Sequence, residues 1–257
     1  WKAVRKYERA YRARRYVGRL YISLIMKGLR ESARVLLLSE QDRITVVNKG
    51  VSPKKAFVYR NGATPAFGSP KDDWKEESYY TVVFNGSWIP RKGVSTLAEA
   101  ASVLYRTGYP LKWLLIGTGK SSDEVLASFP SELHNDVLVV NRFKPDEEAD
   151  LLRSGDLFVL PSFFEGQPLS LLQAMWIGLP CITTNCCGQR DIIEHGKNGF
   201  LFDPGDTVAF VKMISTLLNC RRTRREVGWN AHLSMQNRTW DRCSQDVVDL
   251  VLGVLKS

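Results

Sequence analysis

The sequence lacks the features that mark secreted, membrane-spanning and metal-binding proteins. No apolar run is long enough to span a bilayer, and no signal-peptide pattern is present. Five cysteines occur, an odd number, and neither they nor the three isolated histidines have metal-ligand spacing. We therefore predict a reduced, cytosolic compartment, no disulfide framework and no metal site.

The chain also lacks an initiator methionine, since it begins at Trp1, which suggests a piece of a longer protein. Its 257 residues are enough for one large or two modest domains. With 44% hydrophobic and 25% charged residues, the composition is that of an ordinary globular protein. A disordered or fibrous chain is thereby excluded.

Acidic residues are scarce at the start of the chain. Residues 1–30 hold ten Lys or Arg against the single acid Glu8, whereas the rest of the chain is balanced, with 26 basic and 26 acidic residues. This segment is either a patch for anionic lipid or a solvated or covered helix face. No nucleic-acid-binding module accompanies it, so nucleic acid is not a predicted partner.

Residues 156–180 predict a strand, a loop and a helix in succession. A short apolar run ends at Pro161, the loop carries Glu165 and Gly166, and Pro168 is placed at the first helical position. A helix N-terminus after a parallel strand is a favourable place for an anion. Glu165 there suggests a hydroxyl partner beside the anion, such as a sugar.

Strands and helices alternate regularly after residue 79, which predicts an α/β fold with a doubly wound parallel sheet. We place a linker at 63–78, between a first unit at 1–62 and a second at 79–257. A helix is predicted at 146–153, with three acids in its first turn, where the helix dipole favours them. Ligands of such sheets bind at the carboxyl ends of the strands.

The loops at those strand ends share polar and small residues. Glycines allow a close backbone approach, basic side chains can neutralise a diphosphate, and Glu165 and Gln173 can bind hydroxyls. The candidates are Gly86, Gly117 and Gly119, with Arg91, Lys92 and Lys120 as the cations. Two alternatives stay open, because Arg91 and Lys92 could be a solvated pair and Gln173 could cap a core. The glycine pattern lacks the third Gly of a nicotinamide-dinucleotide fingerprint.

Several segments resemble, in order and spacing, the C-terminal donor-binding domain of retaining GT-B glycosyltransferases of family four, also called glycosyl transferases group 1. The matching segments are VVFNGSWIPRKGVSTLAEAA, LLIGTG, DLFVLPSFFEGQPLSLLQAMWIGLPCITTN, CGQRDIIEHGKNGFLFDPGD and TWDRC. Residues 1–62 resemble the tail of the N-terminal, acceptor-binding Rossmann-like domain. The resemblance implies a GT-B fold, in which a helix at 240–257 crosses back to the N-terminal domain.

The resemblance also implies roles for individual residues. Glu165 matches the acid that contacts the transferred sugar, and Lys92 the lysine on the donor phosphates; these two are the predicted catalytic residues. The diphosphate cradle matches Gly166, Gln167, Pro168 and Leu169, the base-side loop matches Arg142 and Phe143, and the segment near sugar and base includes Gly188.

Two positions depart from the family pattern. Gln173 stands where the second Glu of the donor signature binds ribose, and Ser87 follows Gly86 where an Arg commonly contacts the diphosphate. Gln retains one acceptor oxygen and adds donors, so ribose binding is expected to weaken by about 1–2 kcal/mol. Arg91, in the same loop, is a candidate to replace the missing charge.

We therefore predict a hexosyltransferase that moves a hexose from a nucleoside-diphosphate sugar, with UDP or GDP, to an acceptor hydroxyl with retention. No prosthetic group is expected, and the acceptor is a sugar or a lipid-linked sugar in polysaccharide, lipopolysaccharide or glycolipid synthesis. The predicted location is cytoplasmic, with residues 1–30 as a candidate contact to the inner membrane face. Two alternatives remain: a non-catalytic nucleotide-sugar-binding subunit or decayed copy, and a sugar-nucleotide epimerase.

Overall fold

The structure, a computed structural model, describes residues 17–71 and 78–255. Eight strands alternate with helices in these two ranges. The strands are β1 Val35–Leu37, β2 Ala56–Val58, β3 Tyr80–Asn85, β4 Leu111–Ile116, β5 Val137–Val140, β6 Leu157–Leu160, β7 Cys181–Thr184 and β8 Phe200–Phe202. The helices are α1 Val17–Glu31, α2 Glu40–Asn48, α3 Val94–Arg106, α4 Ser122–Leu126, α5 Glu148–Arg153, α6 Leu169–Ile177, α7 Cys187–Arg190, α8 Thr207–Asn219, α9 Arg221–Met235 and α10 Trp240–Leu255.

Strands β3 to β8 form one parallel sheet in the order β5-β4-β3-β6-β7-β8. The chain builds outwards from β3 on one side and then returns to start the other side at β6, which is a doubly wound arrangement. Strand β3 pairs with β4 along its full length but with β6 only at Val82 and Val83. The predicted α/β, Rossmann-like architecture is thus confirmed, with its switch point between β3 and β6.

The large core lies on both faces of this sheet. All four residues of β6 and all four of β7 are buried, as expected for parallel strands covered by helices on both sides. Helices α6 and α9 pack together beside them, and Leu171, Leu172 and Phe210 are fully buried. This rigid centre positions the loops that follow β3 and β6.

A smaller parallel pair, β1 and β2, lies outside this sheet. It has a separate apolar cluster, which consists of Met26, Val35, Val46, Val51 and Ala56. The predicted division at 63–78 stays a prediction. Ala63 forms a bridge with Thr239, and residues 72–77 lie outside the described ranges.

The basic segment 1–30 coincides only in part with the described chain, since its first sixteen residues are not described. Helix α1 exposes Tyr21, Ile22 and Leu24, and α10 exposes Val251 and Leu255. Within residues 17–71 and 78–255, no helix combines the length and the apolar character that crossing a membrane requires.

Candidate active site

The candidate site lies at the carboxyl ends of β3 and β6, the edge of the sheet where open α/β folds bind ligands. The loop after β3 and the loop after β6 are held together there by a backbone bond from Phe163 N to Arg91 O of 2.8 Å. Gly93 has a φ of 70°, and a Cβ on it would lie 1.9 Å from Pro161 O. Glycine is therefore required for this close approach, which brings the two loops into one site.

Glu165, Lys92 and Arg91 meet at this junction. Glu165 Oε1 lies 2.7 Å from Lys92 Nζ and 3.0 Å from Arg91 Nη1. These are close ion pairs without hydrogen-bond geometry, and Glu165 is only 8% exposed. Two cations face one carboxylate, so the cluster keeps one positive charge with which to attract an anion. The structure thus brings together the two predicted catalytic residues and Arg91.

The two cations differ in their access to solvent. The Lys92 side chain is 13% exposed, whereas that of Arg91 is 44% exposed and also donates to Phe164 O at 2.7 Å. Lys92 is therefore the less hydrated and less screened charge. The expectation of a simply solvated Arg-Lys pair does not fit this geometry.

The loop from Glu165 to Pro168 passes between two parts of the chain. A Cβ on Gly188 would lie 1.4 Å from Gly166 O, and one on Gly166 would lie 2.7 Å from Leu38 Cδ1. Position 188 therefore needs glycine, because the clash is with backbone, whereas at position 166 the Leu38 side chain would have to shift. Gly188 N also donates to Glu165 O at 3.2 Å. Helix α6 begins at Leu169, one residue later than predicted, with Pro168 at its N-cap.

The side chain of Gln167 points away from the ion-pair cluster. Its amide nitrogen donates to Leu38 O at 2.8 Å and Tyr59 O at 2.6 Å, and its oxygen accepts from Asn61 N at 2.8 Å and from Arg238. Arg238 is largely buried where it meets Gln167, and this burial lowers the pKa of its guanidinium to about 10. Only the backbone of Gln167 thus remains for the predicted anion cradle, because the side chain ties the loop to the segments that follow β1 and β2.

Gln173 lies beside a second carboxylate of the site, that of Glu148. Asn85 Nδ2 donates to Glu148 Oε1 at 2.7 Å, and the Gln173 amide meets the same carboxylate. The interpretation of Gln173 as a cap for the core is therefore not needed. Gly117, with a φ of 65°, would place a Cβ 3.1 Å from both Asn85 Oδ1 and the Phe143 ring.

The remaining predicted residues have contacts of their own. A Cβ on Gly86 would touch the Lys92 side chain at 3.4 Å, and Gly119 faces open space. Arg142 is exposed, and Ser87 contributes its carbonyl to Ile89 N at 2.9 Å. Lys120 pairs with Glu124 on the surface, at 2.7 Å.

Sequence reasoning did not select Glu148, Asn85 or Gly93 as site residues. The acid was attributed to the helix dipole, and the predicted helix began two residues too early, since α5 starts at Glu148 itself. Glu148 follows β5 and precedes β6, close to the edge where the strand ends converge. This position was the signal that could have indicated a ligand-facing acid.

The fold and this edge of the sheet define a class of protein. The family described as Glycosyl transferases group 1 matches residues 79–220, more than half of the chain, and the chain belongs to that family. The predicted relationship to GT-B glycosyltransferases is thereby confirmed.

Among curated relatives, the chain is similar to the UDP-Gal:alpha-D-GlcNAc-diphosphoundecaprenol alpha-1,3-galactosyltransferase of Escherichia coli, with 25% identity over 213 residues. That alignment covers 78% of this chain and 55% of the relative. The capsular polysaccharide biosynthesis glycosyltransferase CapM of Staphylococcus aureus is 26% identical over 227 residues, covering 84% of this chain and 57% of CapM. The chain thus spans about half the length of these relatives.

Solved structures show the same fold. A TarM mutant of S. aureus, in complex with fondaparinux, alpha-GlcNAc-glycerol and UDP, superposes with a TM-score of 0.77 at 22% identity. The alignment covers 89% of this chain and 45% of TarM. At this identity the likeness establishes the GT-B fold of the matched part.

Proposed function

We propose that this chain forms the donor-binding part of a glycosyltransferase that moves a hexose from a nucleoside-diphosphate sugar to an acceptor hydroxyl with retention of configuration. The observation that carries the proposal is the buried Glu165 held between Lys92 and Arg91 at the switch point of the sheet. An acid between two cations supplies both a hydroxyl acceptor and positive charge at one place.

The division of roles follows from these contacts. Lys92 and Arg91 hold the donor diphosphate and stabilise the negative charge that develops on it as the sugar leaves. The first N–H groups of α6 add partial positive charge at the same place. The Glu165 carboxylate accepts a hydrogen bond from a sugar hydroxyl at Oε2, since Oε1 is buried against the two cations. The proposal needs no metal ion, since the cations supply the charge.

The donor is proposed to be a UDP-sugar. In support, the E. coli relative is described as using UDP-Gal, and the TarM structure contains UDP. The acceptor is proposed to be a sugar or lipid-linked sugar of polysaccharide or glycolipid synthesis, because the relatives act in such processes. A cytoplasmic location and contact of residues 1–30 with an anionic membrane remain part of this proposal.

A second candidate is a non-catalytic nucleotide-sugar-binding subunit. The observation that favours it is the pair of departures at Ser87 and Gln173, of which the second joins its amide to Glu148. An epimerase on the same fold is the third candidate, and it would change the donor without any acceptor.

Nucleotide binding and product analysis separate these candidates. We expect ligand-observed NMR to show binding of UDP and of a UDP-sugar. When membrane glycolipids are supplied, chromatography should show a glycosylated acceptor, and NMR of that product should show the anomeric configuration of the donor. Binding without any product would favour the non-catalytic subunit, and an altered donor sugar would favour the epimerase. Absence of nucleotide binding to the folded protein would contradict all three.

A further inference from the structure

Three polar side chains from three different elements meet at one point between β3, α5 and α6. Asn85 ends β3, Glu148 opens α5 and Gln173 lies one turn inside α6. Asn85 is 6% exposed, and Glu148 and Gln173 are partly buried. The distance from Asn85 Nδ2 to Glu148 Oε1 is 2.7 Å. Elements that are distant in sequence therefore present a carboxylate flanked by two amides at the ligand-binding edge of the sheet.

The amide of Gln173 contacts Glu148 in either of its two orientations. One places Nε2 at 3.3 Å from Glu148 Oε2, and the other places it at 2.8 Å from Glu148 Oε1 and 3.2 Å from Leu169 O. We assign the second, because the first would set the amide oxygen against the carboxylate and the Leu169 carbonyl. Both amides then donate to Oε1, which leaves Oε2 with its capacity to accept.

Among the residues that the structure describes, Glu148 has neutral hydrogen-bond partners, Asn85 and Gln173, which distinguishes it from Glu165. A carboxylate offers about four lone-pair positions, and the two amide donors occupy two of them. Burial raises the pKa of Glu148 and outweighs the hydrogen bonds from Asn85 and Gln173, which favour the charged form. A half-buried acid without a cation is costly to keep, and an apolar side chain would fill the space at lower cost. The cost is explained if the acid binds a ligand that donates hydrogen bonds.

The surroundings of this carboxylate suit a nucleoside. Gly117 leaves space beside Asn85 Oδ1 and the Phe143 ring, since a Cβ there would approach both to 3.1 Å. An aromatic ring and a backbone without side chain permit the approach of a flat base. Asn85, which borders this space, also donates to Glu148, so the carboxylate is the neighbouring acceptor for the sugar attached to such a base.

We propose that Glu148, positioned by Asn85 and Gln173, accepts hydrogen bonds from the ribose hydroxyls of the nucleoside-diphosphate donor. This inference rests on the proposed function, because it assigns the nucleoside half of the same donor. The diol of the ribose is the source of the hydroxyls rather than the transferred hexose, since the hexose is bound at Glu165 in the proposed arrangement. Gln173 is then a positioning residue, which holds the carboxylate, and Glu148 supplies the acid that position 173 lacks.

The test compares a ribonucleotide with its 2′-deoxy analogue. UDP, GDP and ADP are titrated first into the protein by calorimetry, and the tightest is then compared with its 2′-deoxy form. We expect the wild type to bind the ribonucleotide at least about tenfold more tightly, or about 1.4 kcal/mol, as expected for a hydrogen bond to a charged group. The E148L variant should bind both forms with affinities within about twofold, at the level of the deoxy form.

Two further variants serve as a conservative replacement of Glu148 and as a control. In E148Q the side chain keeps its length and can still accept from Asn85, so it is expected to fold and to show an intermediate preference for ribose. In D150N an exposed acid of the same helix is neutralised, and the preference of the wild type should be unchanged. Thermal melts of all variants establish that the compared proteins are folded.

The possible outcomes separate this inference from the proposed function. If the wild type binds a nucleoside diphosphate but does not distinguish ribose from deoxyribose, the assignment of Glu148 is overturned and the proposed function stands. If E148L and E148Q weaken binding only of the sugar nucleotide and not of UDP, GDP or ADP, Glu148 contacts the hexose and the ribose assignment is wrong. If the folded wild type binds no nucleotide, the proposed function fails and this inference fails with it.

Discussion

Two carboxylates lie at the same edge of the six-stranded sheet, and their partners differ in charge. Glu165, after β6, faces two cations, Lys92 and Arg91. Glu148, at the start of α5, faces two neutral amides, Asn85 and Gln173. In the proposed function, each acid serves a different half of the donor. Cations around Glu165 suit a diphosphate beside a sugar, whereas the uncharged surroundings of Glu148 suit an uncharged nucleoside.

The largest expected effect is that of Glu165→Gln on turnover. The variant loses the negative charge that orients a sugar hydroxyl, and we expect transfer by the protein to fall by about 100-fold or more, the scale seen for lost transition-state contacts. Binding of the bare nucleoside diphosphate should be unchanged or tighter, because the two cations lose their internal partner. Steady-state assays together with calorimetry measure both quantities.

The control for Glu165 is E194Q, which removes an exposed acid that pairs with Lys197 on the surface. Its turnover should equal that of the wild type. Near-normal transfer by E165Q, or equal losses of nucleotide binding and turnover, would contradict the role assigned to Glu165 and remove the contrast with Glu148.

The next effect is that of Lys92→Ala on diphosphate binding. Its side chain is mostly buried, so its charge acts in a medium of lower dielectric than water. We expect the dissociation constant of the nucleoside diphosphate to rise about 10- to 100-fold, as for a lost charge-assisted hydrogen bond. The parent nucleoside, which has no phosphate, should bind K92A as it binds the wild type. A loss of nucleoside affinity in a folded K92A would indicate an effect on the whole site.

Arg91→Ala should have a smaller effect of the same kind. With 44% of its side chain exposed, its charge is screened by water and salt. We expect the dissociation constant of the diphosphate to rise about two- to fivefold at low ionic strength, and the difference to fade in high salt. An effect as large as that of K92A and independent of salt would show that Arg91 is the principal phosphate ligand instead. The control is K197A, which removes the exposed cation that pairs with Glu194 on the surface.

The sheet and the convergence of Glu165 with Lys92 could be predicted because each follows from local pattern. Alternating strands and helices define the strand ends, and carboxyl ends of neighbouring parallel strands converge. The partners of Gln167 could not be predicted, because Leu38 and Tyr59 are more than 100 residues away in sequence. Gly93 was visible as a glycine, but its contact with Pro161 depends on tertiary structure.

Glu148 was missed for a different reason. An acid in the first turn of a helix already has a sufficient explanation in the helix dipole. Only the structure shows that Asn85 and Gln173 both turn their amides to it. The boundary of α5 mattered as well, because with the helix begun at 146 Glu148 falls on its third position rather than its first.

The smallest expected effect is on stability, and it should have opposite signs at the two acids. Burial raises the pKa of Glu148 in the folded protein above its ordinary value in the unfolded chain. Between the two values the folded state binds more protons, so stability falls as pH rises through this window and the charged form costs stability at neutral pH. E148Q removes that cost, whereas E165Q leaves Lys92 and Arg91 without their counter-charge.

We therefore expect E148Q to be more stable than the wild type at pH 7, by less than about 1 kcal/mol because the group is only half buried. The gain should disappear below the ordinary pKa of a glutamate, about 4.3, where both proteins are uncharged at this position. E165Q should be less stable than the wild type at pH 7. Urea unfolding at pH 7 and pH 4, with D150N as the control, measures these differences. Equal destabilisation by E148Q at both pH values would show that the hydrogen bonds of Glu148 stabilise the wild type by more than its burial costs. The contrast between the two acids would then not extend to stability.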